Sequence, residues 1–158
     1  MEAATIQARM KSPAMLIPGA FKAMQALAAS AHPSDELPQR TIDLVHMRAS
    51  QINGCSFCAE MHSREARERG ETDERLFTVA AWREAPYFTE AERAALALTE
   101  AATRLSDRPD PVSDEVWDEA TRHYDDQALA ALLIQIAAIN AWNRLNVPIR
   151  NPAGSYRR

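Results

Sequence analysis

The sequence predicts an all-α fold, a bundle of about seven helices in one domain that spans residues 1–158. Alanine occurs 30 times and glycine four times, while valine and isoleucine together occur 13 times, a composition that favours helices over strands. Nine prolines divide the chain into segments of helical length. We expect an N-terminal arm of about residues 1–17 and an extended C-terminal tail of about residues 148–158.

The first four predicted helices are bounded by residues that commonly begin or end helices. They span about residues 18–29, 38–53, 55–69 and 72–83. Pro38 suits the first turn of the second helix, and Gly54 ends that helix. Gly70 supplies the C-terminal cap of the third. The loop between the second and third helices is therefore short, and the two should form a hairpin.

Three more helices are predicted in the second half of the chain. Thr89 and Glu92 have the spacing of a capping box and begin a helix over about residues 89–105. A short helix follows Ser113, and a long one covers about residues 126–146. The last helix is apolar on nearly all sides between Ala128 and Ile139, a run too short to cross a bilayer. We therefore expect it to lie inside the bundle, with a partner subunit covering its remaining face.

The net charge and the first residues of the chain limit the expected binding partners and the expected cellular compartment. The formal net charge is −4, so the chain has no excess of positive charge to neutralise a nucleic-acid backbone. The first residues lack the charged start and apolar stretch of a signal peptide. We expect a cytoplasmic protein with neither a nucleic-acid nor a membrane partner, in which any disulfide is catalytic or transient.

The chemistry concentrates at Cys55, Cys58 and His62. On a helix, their spacing places all three within an arc of about 60°. Cys55 falls at the N-cap and Cys58 in the first turn, where unpaired backbone N–H groups favour a thiolate. His62, one turn beyond Cys58, can take its proton. The pattern indicates a dithiol redox centre that needs no metal or other cofactor.

Two other interpretations of these residues remain open. Cys55, Cys58 and His62 could supply three zinc ligands, with His46 as the fourth, although no second CxxC or HxxxH pair accompanies them. The cysteines could also be small buried apolar residues with no chemical role.

The run SQINGCSFCAEMH (residues 50–62) resembles the alkylhydroperoxidase D group of the carboxymuconolactone decarboxylase family. The similarity continues through residues 80–101 and 139–144. It implies an all-α fold, assembly into trimers, hexamers or other homo-oligomers, and reduction of hydroperoxides by the cysteine pair. The electrons would come from a dithiol such as a dihydrolipoyl protein.

The resemblance also implies a proton relay. Family members carry a glutamate twelve residues before the first cysteine, and here Asp43 holds that place. His46 is an alternative relay partner. The family's decarboxylases do not need a cysteine pair, so the intact CxxC favours redox chemistry over decarboxylation.

Within that chemistry we expect Cys58 to attack the peroxide because His62 is one turn away. Cys55, expected to be more exposed, would be the resolving thiol that meets the reductant, although the opposite assignment is open. The competing functions are a disulfide reductase with a non-peroxide substrate, a non-redox zinc-containing or binding protein, and a decarboxylase-like family member.

Overall fold

A computed structural model describes residues 6–156, and expectations for residues 1–5 and 157–158 lie outside the described residues. Within the described part the chain is all-α, as predicted, with eight α-helices, one short 3₁₀ helix and no strand. The α-helices are α1 (Pro13–Leu16), α2 (Ala20–Ser30), α3 (Gln39–Ile52), α4 (Ser56–Glu68), α5 (Asp73–Thr78), α6 (Glu90–Thr103), α7 (Asp114–His123) and α8 (Asp126–Asn146).

Local signals place most helix ends correctly. Thr89 and Glu92 form the predicted capping box of α6, with both reciprocal hydrogen bonds present. Gly54 has a φ of +68°, a left-handed conformation that suits glycine, and it reverses the chain between α3 and α4. The expected arm contains one short helix, α1, and the helix predicted over residues 72–83 divides into α5 and the 3₁₀ turn Val79–Ala81.

Helix α8 lies at the centre of the bundle and packs against α2, α3, α4, α6 and α7. By length and composition it could cross a membrane, yet half of its most apolar window is buried inside the protein. The rest of that window is exposed or only partly buried, and its cover by a partner subunit stays a prediction. The exposed large apolar side chains include Met15, Ile17 and Phe21 on and around α1 and α2. The oligomer itself stays a prediction.

The α3–α4 hairpin is tied to α8 by buried amides. Asn53 Nδ2 donates to the side-chain oxygens of Asn140 at 2.9 Å and Asn143 at 2.8 Å. Asn143 Nδ2 donates in turn to Ser50 Oγ at 3.2 Å. Since buried amides are costly when unpaired, these bonds set the position of the turn that carries the cysteines. They also join residues 50–62 to residues 139–144, two of the segments that carry the family resemblance.

A buried carboxylate joins residues 80–101, the third segment that carries the family resemblance, to α3. Glu100 of α6 accepts hydrogen bonds from Arg48 Nε at 2.7 Å and Trp82 Nε1 at 3.0 Å. Arg83 Nη1 donates to the other carboxylate oxygen at 2.7 Å. Several donors on one buried carboxylate offset its desolvation, so Glu100 holds α6, α3 and the 3₁₀ segment together.

The C-terminal residues differ from the extended tail that was predicted. Residues 147–156 form turns, and Ile149 is buried while its carbonyl accepts from the backbone N–H of Arg9 at 2.8 Å. The backbone N–H of Gly154 donates to the carboxylate of Glu60 on α4. The end of the described chain therefore packs on the helix that carries the cysteine pair.

Candidate active site

Cys55 and Cys58 are joined by a disulfide, with their Cα atoms 5.3 Å apart. Cys55 is the N-cap of α4, and its sulfur accepts a hydrogen bond from the backbone N–H of Cys58 at 3.3 Å. Both residues are buried, with 3% and 1% of their surface exposed, against Ala49 and Ile139. The expectation that Cys55 is the more exposed thiol finds no support in this oxidised state, because both cysteines are buried and Ile139 of α8 packs against them.

A cavity of about 530 Å³ reaches the cysteine pair from the side of Cys58. Cys58 and His62 line it, whereas Cys55 does not. The other walls are mainly aromatic and apolar; they include Met15, Phe21, Phe57, Met61, Ile139, Trp142 and Tyr156. A molecule that enters this cavity meets Cys58 and His62 together in largely apolar surroundings.

His62 is 8% exposed, and its Nδ1 lies 3.3 Å from Glu65 Oε2. The two groups are at ion-pair distance, but Nδ1 has no aligned hydrogen-bond partner. The contact with His62 lowers the pKa of the Glu65 carboxyl, outweighing the opposing effect of burial. Glu65 is therefore a carboxylate at neutral pH, placed to stabilise a positive charge on His62.

His46 of α3 faces His62, with the ring centroids 4.7 Å apart. The amide nitrogen of Gln135 donates to the carbonyls of Ala28 at 2.9 Å and Ala31 at 2.7 Å, which turns its oxygen toward His46 Nε2 at 2.9 Å. His46 Nε2 therefore donates. Although the ring borders the cavity, surrounding protein desolvates it and, with nearby His62, lowers the pKa of His46 to about 3. His46 is a neutral neighbour of His62 at physiological pH.

Asp43 is also buried on α3, but its carboxylate is held by other partners. Arg69 donates to both oxygens, at 2.9 and 2.7 Å, and Gln39 Nε2 donates to Oδ1 at 2.8 Å. Asp43 is absent from the cavity wall. A relay role for Asp43 stays a prediction, and the structure connects it to the site through Arg69, whose Nη2 lies 3.8 Å from Glu65 Oε2.

The zinc interpretation finds no ligand set in residues 6–156, where no three His, Cys, Asp or Glu side chains are grouped to hold a metal. Sulfurs engaged in the disulfide are not thiolate ligands, and His46 Nε2 is committed to Gln135. The disulfide fits a dithiol centre, and zinc binding by the reduced pair stays a competing prediction.

Three residues of this site were not predicted from the sequence: Glu65, Gln135 and Tyr156. Glu65 stands three residues after His62 on the same helix, a spacing that brings side chains together, so this signal was present. Gln135 is the polar interruption of an apolar run, which also pointed to a buried partner. Nothing local indicates Tyr156, because its approach depends on how the C-terminal segment folds back.

Comparison with known proteins identifies the family of this chain and structures with a similar fold. Residues 18–101 match the model of the carboxymuconolactone decarboxylase family. The chain is 38% identical over 115 residues to the uncharacterized protein YdfG of Bacillus subtilis, covering 73% of this chain and 77% of YdfG. It resembles the crystal structure of ATU0492 from Agrobacterium tumefaciens, a protein of unknown function that has been suggested to be an antioxidant defence protein AhpD. That match has a TM-score of 0.84 and 35% identity over 93% of this chain and 98% of the other.

A more distant likeness concerns the fold alone. The apo structure of the debrominase Bmp8 superposes with a TM-score of 0.75 and 23% identity over 87% of this chain and 73% of Bmp8. The similarity to ATU0492 agrees with the all-α bundle, and the family match and the similarity to YdfG show the family. This chain belongs to the carboxymuconolactone decarboxylase family and, within it, to the AhpD-like group.

Proposed function

We propose that this protein is a thiol-dependent peroxidase that reduces organic hydroperoxides with the Cys55–Cys58 pair. The observation that carries the proposal is the meeting of Cys58 and His62 in one apolar cavity, directly beside the disulfide partner Cys55. The similarity to ATU0492, a protein suggested to act in antioxidant defence, supports it. The pair itself stores the electrons, so the cycle needs no further cofactor.

The cycle begins with the reduced pair. His62 takes the proton of the Cys58 thiol, and the thiolate attacks the terminal oxygen of the hydroperoxide, breaking the O–O bond. Cys58 becomes a sulfenic acid, and the imidazolium of His62 returns the proton to the departing alkoxide, which leaves as an alcohol. Cys55 then attacks the sulfenic sulfur, water is released, and the disulfide seen in the structure forms.

An external dithiol closes the cycle by reducing the disulfide and becoming a disulfide itself. Both sulfurs are buried and only Cys58 borders the cavity, which supports a slender reductant of the dihydrolipoyl type that can enter it. Such a cycle requires a reducing compartment, in agreement with the cytoplasmic location expected from the sequence. The exposed apolar residues of α1 and α2, near the cavity, support burial of this region in a homo-oligomer.

The proposal is tested by following peroxide loss with dihydrolipoamide as reductant and cumene hydroperoxide as oxidant. We expect turnover that is lost in Cys58→Ser, whereas Ser56→Ala, an exposed position between the two cysteines, turns over like the wild type. In Cys55→Ser, we expect Cys58 to remain a sulfenic acid after it has reduced one hydroperoxide molecule, because no resolving thiol is present. If Cys58→Ser traps a sulfenic acid on Cys55 instead, the roles of the two thiols are reversed.

A second candidate function is a disulfide reductase whose oxidant is not a peroxide, since the same dithiol and cavity serve both. It predicts reduction of small disulfides by the reduced protein and no consumption of hydroperoxide. Absence of peroxide turnover in the wild type, with intact disulfide reduction, would overturn the peroxidase proposal and favour this one.

A further inference from the structure

We propose that Glu65, rather than Asp43, is the carboxylate that positions His62 and stabilises its imidazolium. This inference rests on the proposed redox function of the cysteine pair and assigns Glu65 as a positioning residue that acts through His62. The family resemblance assigns the carboxylate role to the place held by Asp43, twelve residues before Cys55, so the structure points to a different residue in this chain.

The geometry of Glu65 suits the role. It stands one turn beyond His62 on α4, with Oε2 3.3 Å from His62 Nδ1. Its other oxygen, Oε1, accepts from the hydroxyl of Tyr156 at 3.4 Å, and Arg69 approaches Oε2 at 3.8 Å. A carboxylate steadied from two sides holds its orientation toward the imidazole ring at a lower entropic cost.

Charge around the cavity singles out the same residue. Among the described residues that line the cavity, Glu65 is the sole carboxylate. The facing side chain of α3 is His46, which is neutral, and α8 contributes Ala138, Ile139, Trp142 and Asn146, none of which titrates. The C-terminal segment adds the Tyr156 phenol. A proton moved from Cys58 to His62 therefore creates a positive charge for which Glu65 is the nearby counter-ion.

Asp43 is linked to His62 only indirectly, through Arg69 and Glu65. Its two oxygens accept hydrogen bonds from Arg69 and Gln39, and the guanidinium of Arg69 reaches from Asp43 toward Glu65. Asp43 thus fixes Arg69, Arg69 borders Glu65, and Glu65 contacts His62. This order gives the buried Asp43 a supporting role and leaves the direct contact to Glu65.

The sign of the effect follows from distance. Glu65 is at ion-pair distance from His62 but seven residues from Cys58, about 10 Å along the helix axis. Its negative charge therefore stabilises the imidazolium more than it repels the thiolate. Removing that charge should depopulate the imidazolium–thiolate pair and leave more of Cys58 protonated at a given pH.

The test is the pH dependence of iodoacetamide alkylation at Cys58 in the fully reduced protein, read by peptide mass spectrometry. In Glu65→Gln, which keeps the side-chain length, we expect the midpoint to move to higher pH by about one unit. Glu65→Asp keeps the charge one methylene further away and should restore part of the shift. Glu68→Gln removes the same charge from an exposed position on α4 and should match the wild type.

Two outcomes would overturn the inference: an unchanged midpoint in Glu65→Gln, or a larger shift in Asp43→Asn than in Glu65→Gln. A purely structural role of Glu65 would alter thermal stability without moving the midpoint. Alkylation needs no peroxide, so this readout is separate from the proposed function. A wild type without peroxide turnover but with the Glu65-dependent midpoint would refute the peroxidase and leave the positioning role intact.

Discussion

Replacing Gln135 by leucine tests how α8 holds the cavity wall together. The amide of Gln135 donates to the backbone carbonyls of Ala28 and Ala31 and accepts from His46 Nε2, so it joins α8 to the end of α2 and to α3. Leucine has a similar volume but makes none of these three bonds. The substitution also leaves the Ala31 carbonyl and the His46 ring N–H without their side-chain partner, whereas the Ala28 carbonyl keeps the backbone N–H of Ala31 at 3.3 Å.

The expected loss follows from these contacts. Three net hydrogen bonds at about 1 kcal/mol each amount to about 3 kcal/mol, because the partners left behind are partly or fully buried. Burial of the more apolar leucine side chain offsets about 1 kcal/mol of this loss. We therefore expect the free energy of unfolding to fall by about 2 kcal/mol and Tm to fall by about 4–8 °C for a chain of this size.

Urea unfolding at neutral pH, followed by circular dichroism, measures this change. Gln127→Leu makes the same chemical substitution at an exposed position of α8 and should stay within about 0.5 kcal/mol of the wild type. Equal losses in the two variants, or a loss below about 0.5 kcal/mol in Gln135→Leu, would refute the reasoning that these bonds stabilise the bundle.

Three further predictions concern pH, catalysis and assembly. Burial opposes ionisation of Glu100, but hydrogen bonds from Arg83, Arg48 and Trp82 hold the pKa of its carboxyl below the usual 4.5. The ionised Glu100 therefore stabilises the folded protein fully above pH 4.5, and this stabilisation is lost as the pH falls through the lower pKa of the folded state. Urea unfolding across this range should show a steeper loss of stability for the wild type than for Glu100→Gln, and parallel curves would contradict it. His62→Gln should lower the rate of peroxide consumption by roughly 10² or more, and an unchanged rate would remove His62 from the mechanism. Light scattering at micromolar concentration should give a multiple of the 17.6 kDa chain mass, whereas a mass of one chain would refute the homo-oligomer.

The sequence predicted the features that depend on neighbouring residues. The capping box at Thr89 and Glu92, the left-handed Gly54 and the N-cap position of Cys55 are local, and each lies where its pattern indicated. Cys55 and Cys58 share a face because they stand three positions apart at the start of one helix.

The parts that could not be predicted depend on contacts between distant segments. Placing His46 against His62 requires the exact register of the α3–α4 hairpin, which buried amides from α8 set. The burial of Cys55 depends on α8 as well. The link from Asp43 to Arg69 competes with any link to His62, and helical spacing alone does not decide which partner a buried carboxylate takes.

The central claim, that Cys55 and Cys58 form a peroxide-reactive dithiol, is tested most directly by the intact mass of the reduced protein before and after one equivalent of cumene hydroperoxide. The account predicts a loss of two hydrogens, about 2 Da, with one disulfide between Cys55 and Cys58 and one equivalent of alcohol formed. A mass that stays at the reduced value while the peroxide persists, or a protein that retains a bound zinc ion on these residues, would contradict it.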